Sequence, residues 1–397
     1  MRRYRSLRFY GLCFLCIIST PVGGQNNPDG TVVLYNQVFG AGGNHPDMIL
    51  PASGACFTEN GLLLNGKGAL ARLNKYYALA ARLVRYRVRF SADAVAVFQS
   101  DQPDFKARVD MVRKSIGIDT KPETGKAVPF LNSKHDYLVE VHRDYQTAML
   151  KLVDLHTGAA DSVTATMDGQ GGVRAGATGA GFFVGLQHDY YCFGLAEGSG
   201  IWIQQMTVLS KAGNVKLLLY GDSITEPEGY FPTSGFAASW TQLIRQRIAG
   251  TVISSGRGGT TINELLMRIK NELPFLKARY VMVTIGTNGG NTEENLGALV
   301  EYIRSQGAIP ILNNIPANES GSQVPVNAVI EKVRQRYKIK GARFDHATSL
   351  DADGAVVDKT TMWHEDYDFG QIYHHPNRKG SGLMYLQTLK DVPEIYE

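Results

Sequence analysis

Cysteine is scarce in this chain: four residues in 397, with Cys13 and Cys16 close to the start and only Cys56 and Cys192 beyond. No spacing of cysteine and histidine matches a zinc or iron–sulfur site. An exported pair such as Cys56 and Cys192 is able to form one disulfide, and two partly buried thiols in a large domain are the other reading. Charge of one sign is also missing. The 41 basic and 37 acidic residues leave a net charge of +4 with no Lys/Arg block, so nucleic-acid binding finds no support. Long apolar runs are absent as well. The one pronounced run, Phe9 to Ile18, is too short to span a bilayer, and no membrane span is expected.

That run has informative flanks. Arg2, Arg3, Arg5 and Arg8 precede it, and Thr20-Pro-Val-Gly-Gly24 follows with small residues before Gln25. The layout of basic, apolar and small-residue regions is that of a secretory signal peptide over residues 1–24. Cleavage near Gly24 and a secreted or periplasmic protein follow. An amphipathic first helix is the alternative. A lipoprotein is disfavoured because Leu15 stands before Cys16 where a small residue is required.

The length exceeds one usual domain, and the pattern changes character near residue 213. From 25 to 213, turn signals recur about every ten residues and β-branched and aromatic residues abound. Val84, Tyr86, Val88 and Phe90 alternate with Arg85, Arg87 and Arg89, the period of a half-buried strand. Tyr137–His142 and Ala148–Leu155 flank a polar Asp144-Tyr-Gln146 and read as a hairpin; Gly181–Leu195 and Ile201–Leu209 supply later strands. Gly169 to Gly176 is glycine-rich, but no helix pattern follows, so it reads as a loop and not a phosphate cradle. Many short strands without helices predict an antiparallel β-sandwich. The layout resembles the concanavalin-like jelly rolls of secreted carbohydrate-active enzymes, which leaves glycan binding and a packing role both open.

From 214 to 397 strands alternate with amphipathic helices. Apolar runs fall at Lys216–Tyr220, Thr251–Ile253, Tyr280–Ile285 and Ile309–Ile315. Helical stripes run through Trp240, Leu243, Ile244 and Ile248; through Ile262, Leu265, Leu266, Ile269 and Leu273; through Leu296, Leu299, Val300 and Ile303; and through Val326, Val329, Ile330, Val333 and Tyr337. Thr261 and Glu264 make a capping box, and Pro325 suits a first helical turn. A three-layer α/β domain with a parallel sheet is the consequence.

In such sheets ligands bind at the carboxyl ends of the strands, and four polar motifs fall there or near the C-terminus. They are Gly221-Asp-Ser-Ile-Thr225, Ser254-Ser-Gly-Arg-Gly-Gly-Thr260, Ile285-Gly-Thr-Asn-Gly289 and His375-Pro-Asn-Arg-Lys-Gly380. Singly each is an ordinary turn. In this order the four resemble the SGNH hydrolases, the GDSL esterase/lipase superfamily with its flavodoxin-like α/β fold, over the whole second domain. The resemblance implies a carboxylic-ester hydrolase in which Ser223 attacks the ester carbonyl and His375 takes and returns the proton. The Ser223 N–H, the Gly256 N–H and the Asn288 side chain would hold the oxyanion, with glycine at 256 letting backbone approach substrate. His375 is preferred over His374 and His364 because it directly precedes Pro376-Asn377.

The chain departs from the family at the third triad position. The aspartate usually found three residues before the histidine is replaced by Ile372. Asp368, seven residues before His375, is the candidate acid, with Asp366 and Glu365 nearby; a backbone carbonyl orienting His375 in a Ser–His dyad is the alternative. His364, Asp366, Asp368, His374 and His375 are also metal-competent types, but a metal would compete for His375, and neither metal nor cofactor is expected. The expected partner is an acylated carbohydrate, with acetyl the expected acyl group. A lipase or general esterase is the runner-up, and a glycan-binding protein with a degenerate hydrolase domain is the non-enzymatic alternative. The oligomeric state is not legible from these residues.

Overall fold

The computed structural model describes residues 27, 29–80, 82–100, 106–119, 124–143, 147–166, 191–226, 233–363 and 372–397. The expected signal peptide, the Gly169–Gly176 loop and Asp368 lie outside these residues.

Alternation in the first half produces two antiparallel sheets. Among the described residues, one has eight strands and includes Val32–Val38, Arg82–Phe90, Asp136–Arg143, Thr147–Asp154 and Ile201–Ser210. The other has seven, including Ala69–Leu73, Val95–Ser100 and Tyr191–Glu197. Val84, Tyr86, Val88 and Phe90 all turn into the core. The Tyr86 ring meets Phe98 and Phe193 of the opposite sheet with centroids 4.8 and 5.3 Å apart, the inter-sheet packing that defines a sandwich. On the other face the arginines pair across strands. Arg85 stands opposite Glu140 in the register, and Arg89 opposite Asp136, with N–O distances of 2.6 and 2.7 Å. The hairpin expected around Asp144 forms from Asp136–Arg143 and Thr147–Asp154. Cys56 is exposed on one sheet and Cys192 buried on the other; neither is in a disulfide.

In the second half four parallel strands line up in the order Val252–Gly256, Leu217–Gly221, Tyr280–Thr284, Ile309–Leu312. Helices cover both faces, so the inner strands are buried at every position and almost wholly apolar. Leu218, Tyr220, Ile253, Val281 and Val283 join a core with α2 (Ile262–Leu276), α3 (Glu293–Ser305) and α4 (Gln323–Tyr337). Leu217, Leu219, Val252, Tyr280 and Met282 face α1 (Trp240–Arg247), α5 (Phe344–Ala347) and α6 (Arg378–Asp391). This is the expected three-layer α/β arrangement. The Thr261–Glu264 capping box opens α2. The α2–α4 core is continuous with that of the sandwich.

Candidate active site

The Leu217–Gly221 strand is buried throughout and lies between the Val252–Gly256 and Tyr280–Thr284 strands. Gly221 is level with Gly256 on one side and Thr284 on the other. Ser223, Gly256 and Asn288 therefore emerge from three adjacent strand ends at one sheet edge. Gly221 has no room for a side chain: a Cβ would lie 2.1 Å from Thr225 Oγ1 and 2.2 Å from the Thr284 carbonyl oxygen.

Past Gly221 the chain makes one tight turn. Thr225 and Glu226 donate their N–H groups to the Asp222 carbonyl at 3.1 and 3.0 Å. Ser223 sits on this turn and is nearly buried. The turn is pinned from three sides. Trp240 Nε1 donates to the Ile224 carbonyl at 2.8 Å, Ser254 Oγ donates to the Thr225 carbonyl at 3.1 Å, and the Glu226 carboxylate accepts the Gly258 N–H.

Asp222 is fully buried, and its Oδ1 accepts the Ile224 N–H at 3.0 Å. Burial pushes its carboxyl up to about 6, while the N–H groups of Ile224, Thr287 and Gly286 draw it back down. The carboxyl is bonded within the turn bearing Ser223 and faces the Gly286 and Thr287 N–H groups at the start of the loop bearing Asn288. In the sequence Asp222 has only the signature of a turn residue, and its position between Gly221 and Ser223 is the local signal of a further role.

Asn288 Nδ2 donates to the Thr260 carbonyl at 3.1 Å. An amide carries two N–H groups, so a second is available for another acceptor. Packing by itself requires a glycine at 256. A Cβ there would lie 2.2 Å from the Thr225 carbonyl carbon and 2.4 Å from the Glu226 nitrogen, so the Ser223 turn itself occupies that space. Farther along the loop, Gly259 has φ +78° and open space around its Cβ position.

His375 is buried on the Ile372–Pro376 strand, which pairs with Met362–Trp363. Its ring centroid is 4.2 Å from that of His374, which is less buried. Asn377, two residues on, caps α6: its side-chain oxygen accepts the Gly380 N–H at 3.0 Å. Its Nδ2 donates to the Thr360 and Met362 carbonyls, both at 3.0 Å. Gly380 must be small, because a Cβ would fall 2.2 Å from the Thr361 carbonyl oxygen. The His-Pro-Asn-x-x-Gly spacing is thus a capped helix start locked to residues 360–362, and an asparagine three residues before a glycine was its sequence signal. Through Met384, α6 shares an apolar cluster with Ile224, the neighbour of Ser223. Asp368, Asp366 and His364 lie outside the described residues. Among the described residues, no group of three or more His, Cys, Asp or Glu is placed to hold a metal ion.

Residues 219–383 match the model of the GDSL-like lipase/acylhydrolase family, which supports an ester-hydrolysing domain. No curated protein matches this chain. Among solved structures, TesA is similar at 19% identity, covering 45% of this chain and 99% of its own, with a TM-score of 0.37. A GDSL-like lipase from Bacteroides thetaiotaomicron is similar at 17% identity, covering 44% of this chain and 86% of its own, with a TM-score of 0.35. The VIP36 exoplasmic/lumenal domain, in a form bound to Ca2+ and Man3GlcNAc, is similar at 10% identity, covering 45% of this chain and 88% of its own, with a TM-score of 0.34. No described helix is long and apolar enough to cross a membrane.

Proposed function

We propose that the chain is an exported carboxylic-ester hydrolase that removes small acyl groups, acetyl foremost, from a carbohydrate. The observation that carries the hydrolase part is the convergence of Ser223 and Asn288 on adjacent strand ends, in a segment matching an acylhydrolase family. In this reading His375 takes the Ser223 hydroxyl proton as Oγ attacks the ester carbonyl carbon. The carbonyl π electrons move to oxygen, where N–H donors hold the charge. As the tetrahedral intermediate collapses, His375 returns the proton to the departing alcohol. Water, deprotonated by the same histidine, then releases the acid from the acyl-serine.

Two oxyanion donors are the Ser223 N–H and the Asn288 side chain. For the third, Gly256 is the sequence-based assignment. Gly259 is the better candidate on packing grounds, since its surroundings are open and Gly258 already bonds Glu226. Asp368 is assigned as the acid that orients His375.

Export is supported by the basic and apolar layout of residues 1–24, and the carbohydrate by the β-sandwich that accompanies the hydrolase domain. The test uses p-nitrophenyl esters of increasing acyl length and an O-acetylated oligosaccharide. Acetate turnover that vanishes in Ser223→Ala, with loss of rate beyond about four carbons, is the expected result. Preference for long acyl chains would make the protein a lipase, and no turnover of any ester would leave only a binding role.

A further inference from the structure

The Val252–Gly256 strand is the edge of the parallel sheet, and a segment of the sandwich domain covers it. Ala80 donates its backbone N–H to the Ser254 carbonyl at 2.9 Å, and Ala78 donates to Glu272 Oε1 at 2.8 Å. Asn271 Nδ2 donates to the Tyr76 carbonyl at 3.1 Å. Exposed sheet edges invite foreign pairing, so covering one has an evident structural benefit. The side chains beneath this segment do more than cover it.

Arg268, on α2, is fully buried. At one end its guanidinium lies over the Tyr76 ring, 5.2 Å from the centroid, and Nη1 donates to the Tyr76 hydroxyl at 3.2 Å. At the other end Nη2 donates to the Ser255 carbonyl at 2.7 Å and to the Gly221 carbonyl at 3.2 Å. The Gly221 carbonyl also accepts the Arg257 N–H at 3.2 Å. Glu272, one turn along α2 and also fully buried, accepts the Ser255 hydroxyl at 2.8 Å. These bonds end on the last residues of the two strands that feed the Ser223 turn and the glycine loop, not at mid-sheet.

We propose that Arg268 is a positioning residue for Ser223, and that the sandwich domain sets the position of Arg268 through Tyr76. The inference rests on the esterase reading above. A guanidinium presents donors in a fixed planar fork, so it holds two carbonyls at a set separation; an ammonium has one centre and no such geometry. Gly221 stands two residues before Ser223. Displacing its carbonyl shifts both the nucleophilic Oγ and the Ser223 N–H relative to Asn288, and a misplacement of about 1 Å is able to cost about 100-fold in turnover. Removing the Tyr76 hydroxyl leaves the ring under the guanidinium but takes away the partner of Nη1, freeing the fork to tilt.

The test uses the full chain: wild type, Tyr76→Phe, Arg268→Lys and the double variant. Folding is checked by circular dichroism and melting temperature. The readouts are kcat and KM on p-nitrophenyl acetate and the rate at which an organofluorophosphonate labels Ser223, followed by intact mass. Expected are a kcat loss of about tenfold for Tyr76→Phe and about 100-fold for Arg268→Lys, with KM within about twofold and labelling slowed in parallel. The double variant should be no slower than Arg268→Lys, because both act along one path. Folded variants with wild-type kcat, losses confined to KM, or multiplicative effects in the double variant each overturn the proposal. If Arg268→Lys does not fold, Tyr76→Phe decides alone. A wild type that neither hydrolyses esters nor labels at Ser223 rejects the esterase reading and this inference with it. An active wild type with undiminished variants rejects the inference only.

Discussion

Asn288 and Thr260 are joined by one hydrogen bond, side-chain amide to backbone carbonyl, at 3.1 Å. It fixes the loop after the third strand against the loop after the edge strand and aims the asparagine with one N–H to spare. If that N–H meets the oxyanion, Asn288→Ala should lower kcat by about 100- to 1000-fold with little change in KM. Steady-state kinetics on p-nitrophenyl acetate measure this, and a variant within about fivefold of wild type would remove Asn288 from the oxyanion site.

Ser223→Ala and His375→Ala should each abolish nearly all turnover while the melting temperature stays close to wild type. Ser223 sits on the turn after Leu217–Gly221 and His375 near the end of the short Ile372–Pro376 strand, and neither belongs to the apolar clusters, so truncation opens no large core cavity. His374→Ala is the discriminating control, since the two rings are 4.2 Å apart. Activity lost in His374→Ala and kept in His375→Ala would reverse the assignment of the base.

Asp368→Asn should cost at least about 100-fold in kcat if its carboxylate orients the His375 imidazole, a more modest loss than the roughly 10,000-fold of the serine-protease precedent. Asp366→Asn, two residues away, should remain near wild type. If Asp368→Asn keeps more than about a third of wild-type turnover, the triad is sunk and Ser223–His375 works as a dyad.

Asp222 gives a pH dependence of stability with a definite sign. Burial raises its carboxyl from the ordinary 3.8 to about 6, so its contribution to stability is fully present below 3.8 and is lost as pH rises through 6. Asp222→Asn does not titrate there. Between about pH 3.5 and 7.5, wild type should therefore lose on the order of 2 to 3 kcal/mol relative to the variant. Urea unfolding of both proteins at the two pH values tests it; an unchanged difference would mean that Asp222 ionises as readily in the fold as outside it.

Gly256→Ala should destabilise the protein by about 3 kcal/mol or more, as overpacking against a fixed backbone does. Gly259→Ala, with open space but φ +78°, should cost only about 1 to 2 kcal/mol. Thermal melts compare the two. Equal and small shifts would show that the Thr225–Glu226 backbone yields easily to a methyl group at 256.

The sequence by itself determined the two architectures, because each is written in local periodicity. Alternation from Val84 to Phe90 is a strand with one buried face wherever it packs, and the Ile262–Leu273 stripe with its Thr261–Glu264 box is a helix before any tertiary contact forms. The order of the first three polar motifs also located one sheet edge, since parallel strands joined by helices all end on the same side. Only the tertiary structure decided what occupies the space between distant segments. A glycine at 256 has the same local signature whether it makes room for substrate or for the Thr225–Glu226 backbone. An arginine at 268 reads as a solvent-facing helix residue until Tyr76, 192 positions away in the chain, and the Gly221 and Ser255 carbonyls close around it. Cys56 and Cys192 form no disulfide with each other for the same kind of reason: the fold sets them on different sheets, and disulfide geometry is a condition on distance and direction that spacing along a chain does not carry.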